Sequence, residues 1–313
     1  MFRAAELKII KTATPIVILL VIISGCTYSP GALPFNAHSG TEALRISFMK
    51  NSPPDIVYAG TEFPVGIMLE NAGAVALDGV LIINAPEFPT EKMIKNDDFF
   101  RFKIPGREDT RTFIGGRSFK IFMLSAPEEL GLNEINTEIT ATACYPYYTI
   151  ATTSFCVDTS IYEGGRKPCT FREKTTLSSQ GAPIVISEID AAKLFQSESE
   201  VKMVFTIKIR NVGDGIVVDK GKWEVLCSNT KVTGAPSAYF GRAYVSAKLG
   251  DKELNCGKRN YADLSQNSED IVTCETGILK VSDGSYVSPL LINVSYGYVQ
   301  IATKEVIIKK LPG

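Results

Sequence analysis

The chain of 313 residues is 45% apolar and 21% charged, a composition that supports a buried core and excludes a disordered chain or a coiled coil. Its charge is balanced, with 33 Lys and Arg against 34 Asp and Glu, so the basic face of a nucleic-acid binder is not expected. The single histidine removes the usual general base and the usual metal ligand from most catalytic schemes. We therefore expect no catalytic residue, no metal site and no cofactor.

The N-terminus has the layout of a signal peptide. Arg3, Lys8 and Lys11 precede an almost uncharged apolar run over residues 12–25, and this order of a basic and then an apolar region is typical of export signals. The run is shorter than the roughly 18 apolar residues that argue for a membrane span. We predict a signal peptide over residues 1–25, with an uncleaved N-terminal anchor as the alternative.

A cysteine follows the apolar run directly. Ile23-Ser24-Gly25-Cys26 resembles the lipobox of prokaryotic lipoproteins, and the resemblance implies a lipid on the thiol of Cys26. Residues 26–42 contain several Pro, Gly, Ser and Asn residues, which favour a flexible tether. Either processing route predicts an extracytoplasmic protein that is held on the outer face of the cytoplasmic membrane.

Cysteine use points to the same compartment. Without Cys26, six cysteines remain, and an even number in an exported chain indicates disulfides. A zinc site is disfavoured because the chain has no C-x-x-C pair and its one histidine, His38, lies in the predicted tether. The six are Cys144, Cys156, Cys169, Cys227, Cys256 and Cys274.

Spacing predicts two of the three disulfides. Cys156 and Cys169 bracket a short Gly-Gly-Arg-Lys-Pro loop, and Cys256–Cys274 encloses the polar segment 257–268. Cys144 and Cys227 are then left as a pair that the spacing does not decide. This assignment assumes a hairpin turn at Pro146.

Period-two alternation dominates the rest of the chain. The odd positions of residues 201–210 are all apolar, and the odd positions of 63–69 and 119–123 repeat the pattern, which is typical of strands with one buried face. Helical periodicity is limited to short pieces such as residues 190–198. We predict an all-β fold.

The two halves of the chain repeat one pattern. A strand that runs into Asn71-Ala72-Gly73 matches one that runs into Asn211-Val212-Gly213, and residues 145–152 match residues 296–303. Two matches in the same order indicate a duplicated module. We predict two Ig-like β-sandwich domains, at residues 43–157 and 183–313, joined by a linker over residues 158–182.

This combination of alternating strand, Asn-x-Gly turn, apolar strand and terminal hairpin resembles the Ig-like CARDB-type repeats of prokaryotic cell-surface proteins. The resemblance covers about residues 43–157 and 183–310, and it implies a role in adhesion. With the lipobox, the arrangement is similar to that of archaeal envelope lipoproteins.

Tyrosines cluster near the end of each half. They flank Pro146 or Gly297, residues that would turn a hairpin. Tyrosines exposed at such tips can stack on sugar rings or pack against a partner, whereas the alternative is that they fill the sandwich cores. The candidate binding residues are Tyr145, Tyr147, Tyr148, Tyr296 and Tyr298.

The remaining motifs predict surface positions rather than catalytic or metal-binding sites. The acidic pairs 97–98, 128–129 and 269–270 lack the spacing of a calcium loop and are expected in solvent. No G-x-S-x-G nucleophile elbow occurs. Asn293-Val294-Ser295 fits a glycosylation sequon.

The sequence therefore predicts a non-catalytic, membrane-anchored envelope protein that serves as a spacer, an adhesion module or a protein-interaction module. The alternative is a carbohydrate-binding accessory module that uses the tyrosine tips. The predicted partners are the membrane, through the N-terminal lipid or anchor, and a surface protein or glycan. No nucleic acid is expected.

Overall fold

The computed structural model describes residues 35–85, 99–160, 167–228 and 237–311. Strands dominate these ranges, so the all-β prediction is confirmed. The first seven strands are β1 Leu44–Phe48, β2 Ile56–Tyr58, β3 Glu62–Asn71, β4 Leu77–Asn84, β5 Phe99–Ile104, β6 Arg117–Ser125 and β7 Glu134–Asp158.

The second half continues the pattern. Its strands are β8 Lys174–Thr176, β9 Ile184–Ser197, β10 Glu200–Asn211, β11 Ile216–Val218, β12 Arg242–Leu249, β13 Lys252–Glu253, β14 Tyr261–Asp263, β15 Glu269–Glu275, β16 Leu279–Lys280 and β17 Ser285–Lys309. Two short α-helices, α1 Arg107–Thr110 and α2 Trp223–Ser228, and two 3-10 turns complete the described elements.

These strands form three sheets. One has the order β1-β3-β6 and a second has the order β15-β10-β9-β8. The third has the order β13-β12-β17-β7-β4-β5, with β2 and β11 on β17 and β14 on β12. Side chains from all three sheets meet in one apolar core.

The register gives the two smaller sheets the same construction. Leu44 of β1 pairs with Asn71 of β3, and Ile184 of β9 pairs with Asn211 of β10, a shift of 140 residues for both partners. On the other side, β6 pairs with β3 as β15 pairs with β10. The repeat that the sequence predicts is therefore present in the strand pairing.

The hairpin that the sequence predicts at Pro146 and Gly297 is wrong. The backbone runs straight through both residues in the 25-residue strands β7 and β17. These strands pair with each other along their whole length, and Pro146 lies directly opposite Gly297. Proline has no N–H to donate to a neighbouring strand. It is tolerated in β7 because the pairing of β7 with β4 ends at Cys144, two residues before Pro146.

The β7–β17 pair joins the halves in one sheet, and residues 37–313 form one compact unit. The predicted linker over 158–182 is partly structured, because it contains β8, which pairs with β9. The division into two sandwich domains stays a prediction.

Two local predictions are wrong. Residues 190–198 are not helical, since β9 extends to Ser197 and pairs with β10 throughout. In β6 the outward residues are the odd ones, and Phe119 is exposed whereas Phe122 and Leu124 are buried. The register explains this reversal, because Phe122 lies opposite the buried Val65 of β3 and paired residues point to the same face.

All three disulfides are present. Cys156–Cys169 and Cys256–Cys274 confirm the predicted pairs, and Cys144–Cys227 joins the two cysteines that spacing had left open. The last bridge fixes α2 on the outward side of β7, over a small second core that includes Val80 and Val299. Three disulfides indicate an oxidising, extracytoplasmic environment.

Loss of the bridge between the halves is expected to cost the most stability. Cys144–Cys227 spans 83 residues and Cys156–Cys169 spans 13, so the chain-entropy relation assigns them about 4.5 and about 3 kcal/mol. Paired Cys→Ala substitutions at each bridge, compared by guanidinium unfolding without reductant, check this order. An equal or smaller loss for Cys144 and Cys227 would contradict it.

Candidate functional site

Four tyrosines meet at the middle of the β7–β17 pair. Tyr145 lies opposite Tyr298, and Tyr147 lies opposite Tyr296. Each ring contacts two neighbours, with centroid separations between 6.0 and 6.2 Å. We call these four residues the tyrosine quartet. All four are buried, and Pro146 and Gly297 mark the local two-fold axis that relates the halves.

Each phenol of the quartet accepts a hydrogen bond from the backbone. Tyr147 accepts from the N–H of Val75 at 3.4 Å, and Tyr298 accepts from the N–H of Gly215 at 2.8 Å. Tyr296 accepts from the N–H of Ile184 at 3.4 Å, and Tyr145 accepts from Leu44. The accepting tyrosines therefore anchor equivalent points of the two halves.

Burial raises the pKa of all four tyrosines, so their side chains are neutral phenols. Three also donate: Tyr147 to the carbonyl of Gly181, Tyr298 to the side chain of Asn211, and Tyr145 to Gln300. Their hydrogen-bonding capacity is used inside the fold.

Two asparagine turns fit against the quartet. The side chain of Asn71 accepts from the N–H of Gly73 and donates to the carbonyl of Val75, and Asn211 does the same with Gly213 and Gly215. A Cβ on Gly73 would lie 2.1 Å from the Tyr147 hydroxyl, and one on Gly213 would lie 2.4 Å from that of Tyr298. Glycine is therefore required by close approach of the ring.

The predicted use of the tyrosines as exposed binding tips is wrong for the quartet. No hairpin tip forms, and the four rings fill the centre of the fold. Tyr148 is different, since it is 42% exposed on the other face of β7. A lone ring does not form the stacking platform that the sequence suggested.

A buried carboxylate at the end of β7 forms a second polar centre. The Oδ2 atom of Asp158 lies 2.6 Å from the Nζ atom of Lys193 and 2.8 Å from that of Lys167. Ser285 and the N–H of Ser160 donate to the other oxygen. Burial alone would raise the pKa of Asp158, but these hydrogen bonds outweigh it and hold the pKa well below the usual range.

The Asp158 cluster lines an open groove of about 1240 Å³ beside the Cys156–Cys169 disulfide. The ammonium of Lys193 also lies over the ring of Phe171, 5.1 Å from its centroid. Lys167 and Lys193 share the Asp158 carboxylate, and Lys174 pairs with Glu188, so each lysine of the groove already has a carboxylate partner. The cluster therefore locks the C-terminal end of β7 to β9.

A smaller cleft of about 300 Å³ lies near the second asparagine turn. Its polar side chains are Thr41, Glu42, Asp214, Gln300 and the phenol of Tyr298. Gln300 donates to Asp214 at 3.0 Å, and Glu42 pairs with Arg45. The cleft's charged groups thus have partners within the protein.

The remaining sequence candidates lie at the surface or outside the described residues. Glu128 and Glu129 are exposed, and Asp270 pairs with Arg259 at 2.6 Å. The pair 97–98 and Cys26 lie outside the described ranges. In the ranges that are described, no group of three or more His, Cys, Asp or Glu side chains has the geometry for a metal ion.

The asparagine of the sequon lies in a paired strand, and the histidine lies beside a carboxylate. Asn293 lies within β17 between β12 and β7, and its side-chain oxygen is buried. His38 lies 2.5 Å from Glu108 of α1. It therefore helps to hold the predicted tether's C-terminal end against the fold.

Sequence reasoning missed the Asp158 cluster because its parts are far apart in the chain. Asp158 and Lys167 belong to the linker predicted over residues 158–182, and Lys193 belongs to the helical segment predicted over residues 190–198. The Cys156–Cys169 pair was the one available signal, since it brings the lysine-containing loop back to β7.

No protein-family model and no curated protein matches the chain. Among the residues that the structure describes, no helix is long and apolar enough to cross a membrane.

Replacing Gly73 with Ala is expected to destabilise the protein by about 1–3 kcal/mol, because the new methyl group overpacks against the Tyr147 hydroxyl. Gly131→Ala is the matched control, since no atom lies within 4 Å of its added Cβ. Urea unfolding of both variants measures the difference. Equal free energies of unfolding for the two variants would show that the Tyr147 ring can move away from the turn at Gly73 without loss of stability.

Replacing Asp158 with Asn is expected to cost about 2 kcal/mol at neutral pH, because charge-assisted hydrogen bonds from two lysines are lost. The lowered folded-state pKa makes this contribution fully present above about pH 4, the unfolded-state pKa, and progressively lost as the pH falls below it. Unfolding free energies measured from neutral to acid pH should therefore converge for wild type and variant. Asp190→Asn, an exposed change in the same groove, should leave the acid-dependent loss unchanged.

Proposed function

We propose that this protein is a non-catalytic, membrane-anchored component of the cell envelope whose two β modules act together as one rigid contact body. The single observation that carries the proposal is the β7–β17 pair with its tyrosine quartet. This pairing fixes the halves to each other, as a spacer or adhesion module requires, rather than opening a cleft between them.

The described polar groups support a binding role over a catalytic one. The Asp158 carboxylate is held ionised by two lysines, and the quartet's phenols are neutral and buried. Both centres border a cavity, through Asp158 and Tyr298, but a carboxylate with a lowered pKa is a weak general base and a phenol with a raised pKa is a weak nucleophile at neutral pH. The resemblance to CARDB-type repeats adds adhesion as the proposed biological context.

Attachment to the membrane is proposed through Cys26. The lipobox-like residues 23–26 and the three disulfides both fit an exported chain. A lipidated N-terminal cysteine would keep the module on the outer face of the membrane. The carbohydrate-binding alternative has less support, because four of its five tyrosines are buried and no hairpin turn forms at Pro146 or Gly297.

Membrane fractionation of Cys26→Ser tests the anchor. We expect the wild-type chain in the membrane fraction, with an intact mass that starts at a lipid-modified Cys26, and the variant retained uncleaved or released. Thr27→Ser is the matched control and should behave as wild type. An unmodified Cys26 thiol on a chain that begins at Met1 would contradict lipidation.

A further inference from the structure

The outward face of the β1-β3-β6 sheet carries unpartnered apolar side chains. Phe119 is 71% exposed, Ile121 is 50% exposed, and Met49 and Met68 are each 39% exposed. We call these four residues the apolar face. The register places Met68 opposite Phe119 and Gly66 opposite Ile121, and Met49 lies over Gly66, so the four side chains are contiguous.

The second half shows that the fold does not require an apolar surface here. In the repeat, Met68 corresponds to Lys208, and Phe119 and Ile121 correspond to Ile271 and Thr273. Lys208 pairs with Glu269, and Arg210 and Lys202 make further ion pairs on the same face. At these positions the second face carries Lys208 and Thr273 beside Ile271, so it is less apolar than the first.

The β6 edge of the sheet is protected against pairing with another strand. β6 is an edge strand of this sheet, but its Lys120 points inward over the rings of Phe100 and Phe122, at 5.6 and 5.8 Å. An inward lysine on an edge strand opposes pairing with a further chain. Contact is therefore expected through the face and not through the edge.

The N-terminal chain joins the fold at one end of this same sheet. Ser39 accepts a hydrogen bond from Arg107 of α1, and the loop after α1 exposes Phe113 and Ile114. These two side chains line a small cavity together with Gly40 and Arg45. Two exposed apolar side chains thus lie near the point where the predicted tether arrives, at the end of the sheet that also carries the ion-paired Arg45 and Glu70.

The tether makes the membrane the nearest large apolar surface. About ten residues separate Cys26 from Ala37, and no chain of that length spans more than about 40 Å. The apolar face exposes roughly 400 Å² if a large apolar side chain offers about 150–250 Å². That is about half of what each partner of a stable protein complex buries, but a tethered surface needs only a weak contact because its local concentration is high.

We infer that the apolar face rests on the surface of the bilayer that holds the N-terminus, with Phe119 and Ile121 inserted at headgroup depth. The inference deepens the proposed function and rests on its membrane anchor. It fixes the orientation of the module, since the β15-β10-β9-β8 sheet with its ion pairs then stays in water.

Tryptophan placed on each face tests the inference. The full chain, carrying Phe119→Trp or Ile271→Trp, is reconstituted into vesicles of phosphatidylcholine and phosphatidylglycerol, with and without brominated phosphatidylcholine. We expect the emission added by Phe119→Trp to shift to shorter wavelength and to be quenched by bromine. Ile271→Trp, which replaces a 55% exposed residue at the equivalent position, is the matched control and should show neither change.

The possible outcomes distinguish a failure of the proposed membrane anchor from a failure of the proposed contact between the apolar face and the bilayer. If the chain fails to float with vesicles, the proposed anchor is wrong and the inference falls with it. Flotation with no quenching at 119, or with equal quenching at 119 and 271, overturns the inference alone. A concentration-dependent blue shift at 119 without lipid would also overturn it, because a second copy of the chain would then cover the face.

Hydrogen exchange of the unsubstituted chain gives the same comparison without a variant. On vesicles, β6 should exchange more slowly than in dilute detergent, whereas the equivalent strand β15 should be unchanged. Equal behaviour of the two strands would count against the inference.

Discussion

The fold depends on the antiparallel pairing of β7 with β17. Twenty-five residues of each strand pair, and the tyrosine quartet packs against the middle of this pair. Each phenol holds a backbone N–H of a neighbouring segment. A buried N–H without a partner costs about 1–3 kcal/mol, so the rings supply both packing and hydrogen bonds where four segments converge.

The two-fold relation explains why the repeat uses tyrosine and glycine together. Tyr147 and Tyr298 reach the asparagine turns only because Gly73 and Gly213 have no Cβ. The opposing strands carry these pairs on either side of one axis through Pro146 and Gly297. Such an arrangement resembles an isologous interface within a single chain.

The halves diverge where they face their surroundings. Ion pairs lie on the outward faces of both halves, but the first half also exposes the apolar face. Cross-links join the halves at two places, since Cys144–Cys227 secures α2 over β7 and β17, and the Asp158 cluster ties the end of β7 to β9. The shared centre is thus symmetric and the surfaces are specialised.

The sequence by itself determined the strand content, the repeated strand and turn pattern, and two of the three disulfides. Alternation is a local property of the chain, and Asn71 and Asn211 mark the same turn in both copies. Two features needed the tertiary structure. Pro146 and Gly297 suggest turns by residue type, but their long-range pairing keeps them extended. The outward direction of Phe119 follows from its register with Met68, because β6 is apolar on both faces and its own alternation cannot choose between them.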